Sequence, residues 1–236
     1  MTSIDAIINR QLLKWELERR RASEELHPPI AEPQHIITVS RQTGSRGSYL
    51  ATQLAERLGF QRLHRDVLDV MARESGYYRR LLENLDEHAR GRLHLAVEAA
   101  LSGQLIDHTD YNEYLAKVVL SMAELGGVIL MGRGGNVILG PNNGFHLRVV
   151  CPEPIRVENL CRFKAMSPRE ARQIIERSDH ERREFIQKVY HRDIDDPIYY
   201  DLVLNTGTVD MARLVDLVEL AFRAKMESLR AHSATV

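Results

Sequence analysis

Residues 35–60, HIITVSRQTGSRGSYLATQLAERLGF, decide the fold. An apolar run, IITVS, reads as a buried strand; RQTGSRGS then supplies turn residues, and YLATQLAERLG has helical spacing and stops at Gly59. Gly44 and Gly47 let the backbone turn tightly between strand and helix. The first-turn N–H groups of such a helix are free to meet phosphate oxygens, so Gly44, Ser45, Arg46, Gly47 and Ser48 form a candidate phosphate loop. The full G-x-x-x-x-G-K-[ST] pattern is absent, and an ordinary strand-to-helix turn would use the same residues.

Working outward, the 236 residues are 44% apolar, enough for one main core with an appendage. A formal net charge of −1 and a pI near 6.8 give no global attraction to nucleic acid or to an anionic membrane. Cys151 and Cys161 are not spaced as metal ligands, and no apolar run of membrane-spanning length or cleavable leader occurs, so a reducing cytoplasm is expected. Residues 1–32 read as an amphipathic helix and linker. Ile4, Ile7, Ile8, Leu12 and Trp15 form a stripe, Arg19, Arg20 and Arg21 follow, and HPPIAEP stops the helix. The stripe needs a partner, either the domain itself or a second copy in a homodimer.

Residues 33–236 carry five short apolar runs: Ile36 to Val39, Phe60 to Leu63, Val128 to Met131, Phe145 to Cys151, and Leu202 to Leu204. Helical patterns lie between most of them. This alternation predicts an α/β fold, a parallel sheet flanked by helices, with ligands at the carboxyl ends of the strands. The span 78–125 reads as two helices, the second opened by Asp110 and Glu113 as a capping pair. VILMGRGGN places Arg133 at a strand end between glycines that leave it little packing of its own. Asp66 follows the second run, either as a ligand-facing carboxylate or as a helix cap.

The set ITVSRQTGSRGSYLATQLAERLGF, HRDVLDVMARESG, VILMGRGGNVIL and YDLVLNTG resembles the cytidylate kinase-like family of the P-loop nucleoside monophosphate kinases. The resemblance spans roughly residues 35–225. It implies an adenylate-kinase-like fold with a five-stranded parallel sheet, an acceptor region after the second strand and a basic helical lid at about residues 156–192. It also implies ATP and Mg²⁺ as cofactors and nucleotides as substrates.

Departures accompany the likeness. Gly47 stands where a cytidylate kinase has its phosphate-bridging lysine, and Tyr49 where it has the Mg²⁺-binding hydroxyl. Arg41 or Arg46 is then the cation expected to serve the donor phosphates, and Ser45 or Ser48 the hydroxyl nearest Mg²⁺. Gly134 replaces the aspartate of Gly-Arg-Asp, leaving Arg133, with Asp66, for the acceptor. Residues 156–192 hold ten Lys or Arg against six Asp or Glu. Within them Ser167-Pro168-Arg169-Glu170 opens a helix. Arg162 and Arg182 are expected to close on the phosphates, with Arg177, Asp179 and Arg183 also in the lid. Asn205 and Thr206 would meet the donor base. The implied activity is phosphoryl transfer from ATP to a CMP-like nucleoside monophosphate or another small phosphorylated acceptor. The alternative is a nucleotide-binding sensor without turnover that acts through a protein partner.

Overall fold

The computed structural model describes residues 3–24, 35–102 and 109–233. Its elements run in order as α1 (Ser3–Glu24), β1 (Ile36–Arg41), α2 (Gly47–Leu58), β2 (Gln61–Leu63), α3 (Arg65–Arg73), α4 (Ser75–Glu83), α5 (Glu87–Ser102) and α6 (Asp110–Leu125). There follow β3 (Val128–Met131), α7 (Gly135–Leu139), β4 (Phe145–Val150), α8 (Glu153–Lys164), α9 (Pro168–Tyr190), β5 (Leu202–Asn205) and α10 (Met211–Ser233). All five expected strands form, and they pair in parallel in the order β2-β3-β1-β4-β5. Central β1 is sandwiched in register, with Thr38 between Leu130 of β3 and His146 of β4.

Alternation along β1 sorts the core into two layers, because successive strand side chains point to opposite faces. Ile37 and Val39 join the helices α2 and α10 through Leu50, Leu54, Leu214 and Val218. Ile36 faces the other layer, with Val67 and Met71 of α3 and Leu115 and Val119 of α6. Both faces are covered, as a purely parallel sheet requires. The carboxyl ends of β1 and β3 therefore open at one edge, where the loop 42–46 and the turn 132–134 sit side by side.

Helix α1 belongs to the second layer. Ile8, Leu12 and Trp15 are buried there, and the Trp15 indole N–H donates to the Gly126 carbonyl at 3.0 Å. The stripe is thus satisfied within the chain; HPPIAEP lies outside the described residues. The span after residue 78 departs from the expected two helices. The end of α4 runs into it to Glu83, and α5 and α6 follow. Helix α6 is capped by Thr109, whose side chain accepts from the Asn112 N–H, and not by the Asp110–Glu113 pair. The cap proposed for α9 forms in full: Ser167 accepts from the Glu170 N–H, and the Glu170 carboxylate accepts from the Ser167 N–H at 2.8 Å.

Candidate functional site

The loop between β1 and α2 is braced from outside. Arg156 donates to the Thr43 carbonyl at 3.3 Å, Asn159 to that of Gly44 at 2.9 Å, and Thr206 to that of Ser45 at 2.7 Å. With its carbonyls held by α8 and by the segment after β5, the loop leaves the Gly44, Arg46 and Ser48 amides without an acceptor among the described residues. Free amides around a left-handed turn at the head of a helix make an anion-binding concavity. Ser45 is wholly buried; its hydroxyl donates to the Gln42 carbonyl and accepts from the Gly47 N–H, so it is spent inside the loop.

The missing lysine has a steric reason. A Cβ at Gly47 would lie 2.8 Å from Arg41 Cβ and 3.1 Å from Val149 Cβ, so Arg41 already fills the space from which a side chain at 47 would start. Arg41 then runs across the strand ends, its guanidinium lying 3.1 Å from where a Cβ at Gly132 would be. It has no hydrogen bond or ion pair among the described residues. Burial, together with the positive charges of Arg182, Arg65 and Arg62, pushes it down to about 10. An arginine does not give up its proton near neutral pH, so this unfavourable placement becomes a demand for an anion.

Beside Arg41 opens a cleft of about 380 Å³, lined by Asp66, Asp69, Arg133, Arg182, Phe185 and Arg192 among others. Arg133 sits there in a left-handed backbone conformation, φ 59°. Its Nε donates to Asp69 at 2.6 Å and Nη2 to the second Asp69 oxygen, while Phe185 lies under it at 4.9 Å. Burial is the largest influence and opposes its charge, but the Asp69 bond, the Asp69 charge and the nearby Tyr111 and Tyr190 together outweigh it and push the guanidinium up. Asp66 is exposed in the first turn of α3 and lies 3.4 Å from Arg65; the N-cap position is His64, so Asp66 does not cap the helix.

Asp179 ties α9 to the loop. It accepts from the Thr43 N–H at 2.9 Å, pairs with Arg156, and holds Arg182 at 3.1 Å, while Arg182 also reaches the Thr43 hydroxyl at 2.5 Å. Arg182 therefore lies between loop and cleft. Arg183 turns to Asp195 at 3.6 Å, and Arg177 pairs with Glu181 at 3.9 Å on an exposed face. Arg162 is exposed over Phe163 and lies outside the cleft. Arg46 packs between Tyr49 and Phe163, at 4.8 and 5.0 Å. Asn205 closes a local turn onto the Gly207 N–H.

Several site residues carried weak sequence signals. Asp69 lies one helical step beyond Asp66. Arg148, a charge within the apolar run FHLRVV, is buried on β4, donating to Ser40 at 2.8 Å and Asp195 at 2.5 Å, with its Nε unpartnered. Arg156 is one cation among ten in residues 156–192. Among the described residues no cluster of His, Cys, Asp or Glu could hold a metal by itself, and no helix is long and apolar enough to cross a membrane.

Comparison with known proteins follows the same lines. The profile of the cytidylate kinase-like family matches residues 36–208. A crystal structure of an uncharacterized protein from Eubacterium ventriosum superposes with a TM-score of 0.56 at 17% identity, covering 80% of this chain and 99% of that one. A gluconokinase from Sinorhizobium meliloti gives a TM-score of 0.47 at 14% identity over 86% of this chain and 99% of its own. A uronate isomerase from Corynebacterium glutamicum is 32% identical over 108 residues, which is 45% of this chain but only 21% of that relative. With a braced loop, a parallel sheet in this strand order and a family profile spanning most of its length, the chain belongs to the cytidylate kinase-like family.

Proposed function

We propose that the protein transfers a phosphoryl group from ATP to a CMP-like nucleoside monophosphate or similar small phosphorylated acceptor, with Arg41 doing the work of the absent lysine. The observation that carries this reading is Arg41 itself: the base of its half-buried side chain occupies the space a side chain at position 47 would need, and its guanidinium, without a partner among the described residues, lies at the join of loop and cleft. ATP phosphates would rest on the free loop amides with Arg41 across them. The acceptor would lie in the cleft against Arg133, and Arg182 would span the two. Transfer then depends on positioning and on neutralising the charge spread over the phosphoryl oxygens. An acceptor phosphate is already an anionic nucleophile and needs no general base.

Mg²⁺ ordinarily keeps several waters and is held mainly by substrate phosphates with one or two protein oxygens, a demand this site can meet. Ser45 is excluded by its loop bonds, leaving the half-buried Ser48 hydroxyl on the first turn of α2 and the exposed Asp66 carboxylate. When bound, the ion would supply charge neutralisation across the phosphates.

A sensor that binds nucleotide without turnover is favoured by one observation, the loss of both the lysine and the following hydroxyl at positions 47 and 49. Phosphorus NMR of ATP and Mg²⁺ incubated with the protein and CMP, UMP, AMP or GMP separates the readings. Transfer produces ADP together with a matching diphosphate. Bound ATP that yields ADP with none of the four supports the sensor.

A further inference from the structure

The arginine read as the acceptor's anchor is not a loose cation. Arg133 is fixed by three residues from two helices. Asp69 of α3 engages one edge of its fork through Nε and Nη2, Phe185 of α9 lies under its plane at 4.9 Å, and Tyr190 of α9 donates to its backbone carbonyl at 2.7 Å. Asp69 is itself held, since the Tyr111 hydroxyl of α6 donates to the same carboxylate oxygen at 2.6 Å. The two charged side chains are mostly buried, with 23% of Arg133 and 17% of Asp69 exposed. The Arg133 backbone is left-handed, a conformation that disfavours a non-glycine residue and persists only where its surroundings enforce it.

A guanidinium presents five N–H donors in a planar fork, and a carboxylate on the Nε edge leaves the Nη1 side unused. Nη1 has no partner among the described residues, and Arg133 lines the cleft. We propose that Asp69, buttressed by Tyr111, is a positioning residue for the acceptor, setting the free Nη1 side of Arg133 towards the acceptor's anionic group. This rests on the phosphotransferase reading for the acceptor's identity. The device lowers the entropy lost on binding, because the fork is oriented before the ligand arrives. It also makes the seat a neutral pair with one open donor edge, which suits a ligand that brings its own oxyanion.

The test is calorimetric binding of CMP, and in parallel of inorganic phosphate, to the full chain without ATP, followed by ATP binding to the same variants. Asp69→Asn should weaken CMP at least about tenfold and leave ATP within about twofold, a contrast that general loosening of the fold would not give. Asp69→Glu, which keeps the carboxylate, should recover part of the loss. Tyr111→Phe should weaken CMP in the same direction by about threefold, and gives the answer if Asp69→Asn does not fold. Tighter CMP or phosphate binding by Asp69→Asn overturns the proposal, because Asp69 would then be occupying the anion's own seat. Equal losses for CMP and ATP, or no binding of either CMP or phosphate by the parent, overturn it too. Failure of transfer in the NMR experiment leaves this readout intact, so the two ideas fail separately.

Discussion

Tyr190 decides what position 134 can be. A Cβ there would lie 2.1 Å from the Tyr190 ring, and φ is +67°, so the aspartate of a Gly-Arg-Asp sequence has neither room nor backbone at this position. Gly59 has the same φ of +67° and a similar left-handed backbone but nothing within 4 Å, which separates strain from overlap. Gly59→Ala should lose about 1 kcal/mol and Gly134→Ala about 1–3 kcal/mol more, as urea midpoints would report. Equal losses would show that Tyr190 moves aside freely. At this scale the sequence exposes what is local. The absent lysine, the two loop arginines and the Asp179–Arg182 spacing can all be read directly. The reason for the absence cannot, since Arg41 and Gly47 meet only once the strand-turn-helix closes. Asp69 and Arg133 lie 64 residues apart, and Tyr111 is 42 residues from Asp69, so no spacing rule joins them.

Among the elements, α9 and α6 show why one cap was legible and another was not. Ser167 and Glu170 stand alone as a reciprocal pair, whereas Thr109 and Asp110 are adjacent candidates and only geometry chooses between them. Thr109→Ala should therefore lose about 1 kcal/mol, with Asp110→Ala losing less, in the same urea titrations. Helix α1 is a larger case. Its apolar stripe was legible, but its partner was not, because Gly126 lies 111 residues from Trp15. Trp15→Ala should cost about 3–5 kcal/mol of stability, since it opens a cavity and leaves the Gly126 carbonyl unpaired. ATP affinity should stay at the parental value, because α1 lies in the layer opposite α2. A matching fall in ATP affinity would mean that this layer supports the loop.

Across the whole molecule, a net charge of −1 conceals a concentrated cationic edge. Arg41 from β1, Arg148 from β4, and Arg182 and Arg183 from α9 surround one small void behind the cleft, with Asp179 in its wall and Asp195 pairing Arg148 and Arg183. The sheet brings these strands together, and α9 lies beside them. The fold was legible because buried parallel strands and amphipathic helices leave strong periodic signals, whereas the site depends on contacts between elements distant in sequence. On the proposed function, Arg41 takes both the lysine's place and its task. The direct measurement is ATP affinity by calorimetry for the parent, for Arg41→Gly, and for Arg41→Gly combined with Gly47→Lys, with melting temperature as the fold control. Removing Arg41 clears the 2.8 Å overlap at position 47 and leaves only Val149, at 3.1 Å, to give by a few tenths of an ångström. Arg41→Gly should weaken ATP by about tenfold or more, and the added lysine should restore a substantial part of it. Parental ATP affinity in a folded Arg41→Gly protein would contradict the claim.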